Sequence, residues 1–207
     1  MGRSGGEFTL LPGDGLSSML LPYGADASNV VQNGTIQSFC MEHGEYIYSN
    51  TTHSVTLSGG AILGGVGSYD PLSIGAAWLY YQFAKGTLAG YNYLAGTDAE
   101  IAARKDSAIA LQNTLWWLEG EATDPGAGNL FRNAVLTAFG SAANAMADNN
   151  FNLYPVLVAN LWENGHTGDM NFLRQDVLVL ATPIPGAFFL LGTGLIGLVG
   201  IRRRMWA

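Results

Sequence analysis

The residues best suited to covalent chemistry in this sequence are its single cysteine, Cys40, and a glutamine, Gln112, within a predicted helix. One cysteine cannot form an intrachain disulfide, so Cys40 is either a buried small hydrophobe or a reactive thiol. Four apolar residues about one helical turn away share the face of Gln112, namely Ala108, Ile109, Leu115 and Trp116. A glutamine in an apolar face needs hydrogen-bond partners. These residues alone favour a glutamine at the edge of the core, bonded to backbone.

The elements that would position this pair are predicted from hydrophobic spacing and turn residues. We predict strands at 35–41, 54–57, 155–162 and 176–180, and helices at about 70–85, 99–118 and 130–147. Asp70, followed by proline, is the expected N-cap of the first helix, and Asp98 that of the second. The mixture predicts an α+β fold, with one globular domain of short strands and about three helices, followed by one C-terminal transmembrane helix.

The C-terminal segment has the composition of a membrane anchor. Residues 177–201 carry no charge, and an apolar stretch at about 184–201 is long enough to span a bilayer as a helix. Three arginines follow directly, Arg202, Arg203 and Arg204. Because positive residues stay on the cytoplasmic side, they predict an extracytoplasmic body.

The same tail resembles the PEP-CTERM sorting signal, which an exosortase recognises in Gram-negative bacteria that make exopolysaccharide. The resemblance is carried by Pro183, Pro185 and Gly186, then the apolar span, then the arginines at 202–204. The family's Pro-Glu-Pro reads Pro-Ile-Pro here. The resemblance implies export, an inner-membrane-anchored precursor, cleavage near the prolines, and release to the cell surface or matrix, by the same logic as other removable hydrophobic tails.

These features divide the chain into three parts. Residues 1–26 form an irregular or truncated lead, because they lack the continuous apolar stretch of a signal peptide. Residues 27–180 form the predicted domain, and residues 181–207 form the sorting tail. Removing the three arginines of the tail takes the formal net charge from −7 to −10. Because the body is acidic, it is a poor match for the negatively charged phosphate backbone of a nucleic acid. We therefore predict no nucleic-acid partner.

The body is similar, in patches over about 30–180, to the thioester domains of bacterial surface adhesins. The similarity lies in Phe-Cys-Met-Glu at 39–42, in Ala-Ala-Trp-Leu-Tyr at 76–80, and in Leu-Gln-Asn-Thr-Leu-Trp at 111–116. Thr114 stands where the family usually has alanine. The resemblance implies an internal thioester between Cys40 and Gln112, whose amide would lose ammonia. Supporting roles are predicted for Glu42, His43 and Trp116, with His43 assisting proton transfer and Trp116 excluding water.

Such a thioester would acylate an amine or hydroxyl on a surface target or exopolysaccharide and remain attached to it. The protein would be consumed in that step, so we predict a covalent adhesin or matrix cross-linker and not an enzyme. The alternative is a non-reactive structural or polysaccharide-binding protein of the biofilm layer, with Cys40 as a core residue. No metal site or cofactor is predicted, because His43, His53 and His166 are scattered and neither HExxH nor CxxC occurs.

Overall fold

The computed structural model describes residues 5–20, 34–62, 69–149 and 153–181, and it mixes helices with small antiparallel sheets, as an α+β fold requires. The strands are β1 (Phe8–Leu10), β2 (Ile36–Ser38), β3 (His53–Ser58), β4 (Gly60–Ala61), β5 (Asp70–Pro71), β6 (Val156–Glu163) and β7 (Leu173–Leu180). The helices are α1 (Ile74–Ala84), α2 (Asp98–Leu118), α3 (Leu130–Phe139) and α4 (Ala142–Ala145), with one 3₁₀ turn at Met170–Phe172.

The central sheet has the order β3-β6-β7, with both pairs antiparallel. Side chains of β7 alternate between its two faces, as a strand requires. Leu178 and Leu180 join a helix-side core with α1, α2 and α3. Val177 and Val179 join a second cluster on the other face, which includes Leu20. Residues 177–180 are buried on both faces of the strand, which explains why this part of its sequence is a continuous apolar run.

β1 and β2 form a separate two-stranded antiparallel sheet, and the segment after β2 lies beside β7. Phe8 pairs with Ser38, and Leu10 pairs with Ile36. Beyond Ser38 the chain continues along β7, where Cys40 forms an antiparallel bridge with Val177. The lead at 1–26 therefore contributes a paired strand to the folded body through its described residues.

Three predicted helix limits are wrong, namely the start of α1, the start of α2 and the end of α3. Asp70 does not cap α1, because Asp70–Pro71 pairs with Gly60–Ala61, and glycine at 60 permits a close approach to the carbonyl of Asp70. Ser73 is the N-cap instead, and its side chain accepts from Ala76 N–H at 3.2 Å.

The predicted helix at 130–147 is two helices. Gly140 has a φ of 77°, the left-handed conformation that ends a helix and favours glycine. Ser141 then caps α4. The predicted start of α2, with Asp98 as its N-cap, is wrong by one residue. Thr97 is the N-cap of α2 and forms a capping box with Glu100.

The described part of the chain contains no helix that is both long and apolar enough to cross a membrane. Of the predicted sorting tail at 181–207, all but Ala181 lies outside the described residues, and so do Pro183, Pro185, Gly186 and the arginines at 202–204.

Candidate functional site: Cys40 and Gln112

The backbone of Cys40 faces away from its neighbouring strand. The bonds to β7 are made on either side of it, from Met41 N–H to the carbonyl of Asp176 at 2.8 Å and from Leu178 N–H to the carbonyl of Phe39 at 3.1 Å. Cys40 and Val177 therefore form a non-hydrogen-bonded pair. In such a pair the N–H and C=O of each residue point outward, so Cys40 needs hydrogen-bond partners on its other side.

Those partners come from the side chain of Gln112. Cys40 N–H donates to Gln112 Oε1 at 3.0 Å, and Gln112 Nε2 donates to the carbonyl of Cys40 at 2.8 Å. The carboxamide thus takes the place of a backbone residue in a neighbouring strand. Only 1 % of Gln112 and 9 % of Cys40 is exposed. The structure therefore brings the two predicted thioester residues together in a buried site.

This arrangement also polarises the amide. A thiolate that attacks an amide carbon generates negative charge on the amide oxygen, and preorganised N–H donors stabilise that charge. Cys40 N–H already lies at hydrogen-bond distance from Oε1 of Gln112. The amide nitrogen, which would leave as ammonia, is held by the carbonyl of the same cysteine.

The thiol itself is held in its neutral form. Burial raises the pKa of Cys40 to about 12, and the negative charge of Glu45 raises it further. A thiol is a weak nucleophile compared with its thiolate, so attack on Gln112 requires a base. Glu45, when ionised, lies near enough to Cys40 for its charge to raise the pKa of the thiol.

Three carboxyl groups next to Cys40 have strongly perturbed acidity. Burial, followed by repulsion from Glu121, raises the pKa of Glu42 to about 9. Burial and the charge of Asp176 raise the pKa of Glu45 to about 8, although Glu45 also accepts from Asp176 N–H at 3.2 Å. Burial raises the pKa of Asp176 to about 6. At neutral pH, Glu42 and Glu45 therefore hold protons and can exchange them.

A further buried acid, Glu119, lies at the C-terminal end of α2. Glu119 Oε1 accepts from Ser73 Oγ at 2.7 Å, and burial raises its pKa to about 8. Two residues further, Glu121 accepts from His43 N–H at 3.2 Å. The end of α2 therefore fixes both the start of α1 and the segment that follows Cys40.

Trp116, one helical turn after Gln112 on α2, packs against a second aromatic ring. The rings of His43 and Trp116 meet edge to face, with centroids 4.7 Å apart. Trp116 is buried, and its indole N–H has no hydrogen-bond partner among the described residues. The structure thus places His43 against Trp116. Glu42 is also buried, and its Oε1 lacks a partner within the described part of the chain.

Sequence reasoning missed several members of this site. Glu45, Asp176, Glu119 and Glu121 were not singled out, and neither was Gly5, whose backbone lies against Trp116 and Gln112. These acids come from separate segments of the chain, so no local sequence pattern joins them. In the described ranges, no group of three or more His, Cys, Asp or Glu side chains is arranged to hold a metal ion.

No protein-family model, curated protein or solved structure matches this chain. The assignment of chemistry to Cys40 and Gln112 therefore depends on their own geometry and on the resemblance of the motifs that contain them.

Proposed function

We propose that the chain is an exported bacterial surface protein whose body attaches covalently to a target through a thioester between Cys40 and Gln112. The observation that carries the proposal is the pair of hydrogen bonds between the Gln112 carboxamide and the backbone of Cys40. Two residues 72 positions apart are held in one buried site, with an N–H donor already on the amide oxygen.

Thioester formation balances without a cofactor. Cys40 Sγ bonds to the Gln112 side-chain carbonyl carbon, the carbon–nitrogen bond breaks, and the thiol proton leaves with the nitrogen as ammonia. Glu45 is the proposed proton carrier, because its raised pKa makes it a stronger base than an ordinary carboxylate once it is ionised. Trp116 and His43 exclude water from the product.

In the second step, an amine or hydroxyl on the target attacks the acyl carbon of residue 112. An amide or ester then joins the protein to its target, and Cys40 is released as a free thiol. Each molecule reacts once, so the protein is a covalent adhesin or matrix cross-linker and not an enzyme. An exopolysaccharide hydroxyl or a surface amine is the proposed partner.

Treatment with methylamine tests this chemistry. We expect one methylamide on Gln112 and one newly alkylatable thiol on Cys40, both located by peptide mapping. Cys40→Ala abolishes both, whereas Gln82→Glu leaves both unchanged, because Gln82 is a half-buried residue of α1 whose Oε1 accepts from Thr87. Methylamine uptake that persists in Cys40→Ala would refute the proposal.

The second candidate function is a non-reactive matrix or polysaccharide-binding protein. The high pKa of the buried Cys40 thiol favours it, as does the satisfied hydrogen bonding of Gln112. In that case the glutamine completes the backbone hydrogen bonding of Cys40 beyond β2, and the cysteine fills the core.

The proposed cellular location depends on the C-terminal tail at 181–207 and not on Cys40 and Gln112. We propose that exosortase processes residues 181–207 after the apolar span has anchored the precursor in the inner membrane. Replacing Arg202, Arg203 and Arg204 by glutamine is expected to reduce correct anchoring and processing. If this triple variant gave the same surface yield of processed protein as wild type, the result would contradict the proposed role of the tail.

A further inference from the structure

A short strap, defined as Gly5–Glu7, crosses the outer side of Gln112. β1 pairs with β2 as far as Phe8 and Ser38. Continuing that register would bring Gly6 opposite Cys40, but the Gln112 carboxamide occupies this place. The strap instead passes over the glutamine, and a Cβ built on Gly5 would lie 2.6 Å from Gln112 Cγ and 2.3 Å from Trp116 Cη2.

A buried ion pair between Glu7 and Arg104, here called the latch, holds the strap in this path. The Arg104 guanidinium forms an ion pair with Glu7, with Nε at 2.7 Å from Oε2 and Nη2 bonded to Oε1. The side chains are only 6 % and 8 % exposed. Tyr91 Oη donates to the same carboxylate at 2.7 Å. Two-point recognition of a carboxylate by arginine fixes direction as well as distance.

The latch and the reactive glutamine belong to the same helix. Arg104 lies two turns before Gln112 on α2, and Ala108 between them lies 4.0 Å from a Cβ built on Gly6. The strap thus follows the outer face of α2 from Arg104 to Trp116. Anchoring at Glu7 therefore determines how closely Gly5 covers the amide.

We propose that the strap holds the Gln112 acyl group against Cys40 and shields it, so that Glu7 and Arg104 are positioning residues for the thioester. The inference rests on the proposed function. When the latch opens, the strap can lift from Gln112 and Trp116 while β1 remains paired with β2. A target nucleophile then reaches the acyl carbon, and with the latch closed the thioester is protected from water.

The experiment compares full-length Glu7→Gln and Gly5→Ala with wild type, using methylamine as the nucleophile. Glu7→Gln removes the charge of the latch without changing its shape. We expect aminolysis to accelerate about 10- to 100-fold, the factor for losing a charge-assisted hydrogen bond. Gly5→Ala keeps the ion pair but forces the strap away from Trp116, so we expect acceleration there too.

Two further variants control for general destabilisation. Glu163→Gln removes an exposed carboxylate from the ion pair with Arg174 and is expected to leave aminolysis unchanged. Tyr91→Phe removes one hydrogen bond to Glu7 and is expected to give about fivefold acceleration, which keeps the test available if Glu7→Gln does not fold. Melting temperatures confirm that each compared variant is folded.

The outcomes separate this inference from the proposed function. A wild-type mass that shows no loss of ammonia defeats the thioester, and the strap is then tested by the rate at which iodoacetamide alkylates Cys40. Acceleration in Glu7→Gln and Gly5→Ala supports the strap under either chemistry. Rates equal to wild type in both folded variants overturn it.

Discussion

Loss of the thioester cross-link should change stability by an amount set by the loop that it closes. Cys40 and Gln112 are separated by 72 positions. In the chain-entropy treatment of cross-links, a loop of this length restricts the unfolded chain by about 4 kcal/mol. Cys40→Ser keeps the backbone groups that bond Gln112 but cannot form the thioester. We therefore expect its free energy of unfolding to fall by about 4 kcal/mol and its melting temperature by about 10 °C.

Urea unfolding separates this effect from changed packing at residue 40. A cross-linked chain stays more compact when unfolded, so the denaturant slope m should be smaller in wild type than in Cys40→Ser. Cys40→Ala is the matched second variant, because it changes the packing differently but removes the same cross-link. Equal m values, with free energies that differ by less than about 1 kcal/mol, would contradict a cross-link in the native protein.

Three further perturbations have defined outcomes. Gln112→Glu removes the amide donor to the carbonyl of Cys40, so we expect no thioester and a free thiol, measured by mass and alkylation. The pKa of Glu42 rises from 4.5 to about 9 on folding. Its contribution to the free energy of unfolding is therefore fully present below pH 4.5 and is lost as pH rises toward 9. Melting temperature should therefore fall between pH 5 and 9, and less steeply in Glu42→Gln; a pH-independent melting temperature in wild type would be inconsistent with this. Thr114→Ala breaks hydrogen bonds to Ala110 and Asn129, each at 3.0 Å, and should cost about 1 kcal/mol in denaturation while the thioester still forms; a lost thioester would show that Thr114 acts in the site.

The spacing of apolar residues predicted the helices and strands that bury one face or both faces against the core. Strand β7 was predicted as a buried run and is longer than expected, because its first residues, from Leu173, pair with β6 at the edge of the core. Helix limits were less predictable, since they depend on competing partners. At Asp70, pairing with the short strand Gly60–Ala61 overrode a favourable capping pattern.

The proximity of Cys40 and Gln112 could be predicted from motifs, but the surroundings of the pair could not. Cys40 and Gln112 have distinctive residue types, and the structure brings them together. The carboxyl groups of Glu45 and Asp176 come from separate segments, and their high pKa values result from shared burial. The cover of Gly5 over Trp116 is a tertiary contact between distant parts of the chain. A single sequence contains no local pattern for such contacts.

Intact mass of the full chain, purified without added amines, tests the central claim most directly. We predict a mass that is short by one ammonia, with the deficit absent from Cys40→Ala after allowance for the substitution. Methylamine should raise the wild-type mass by one methylamine and leave the variant unchanged. A wild-type mass equal to that of the sequence, with a thiol at Cys40 that alkylating reagents label in the unfolded chain, would contradict the thioester and leave the non-reactive matrix protein as the account of this fold.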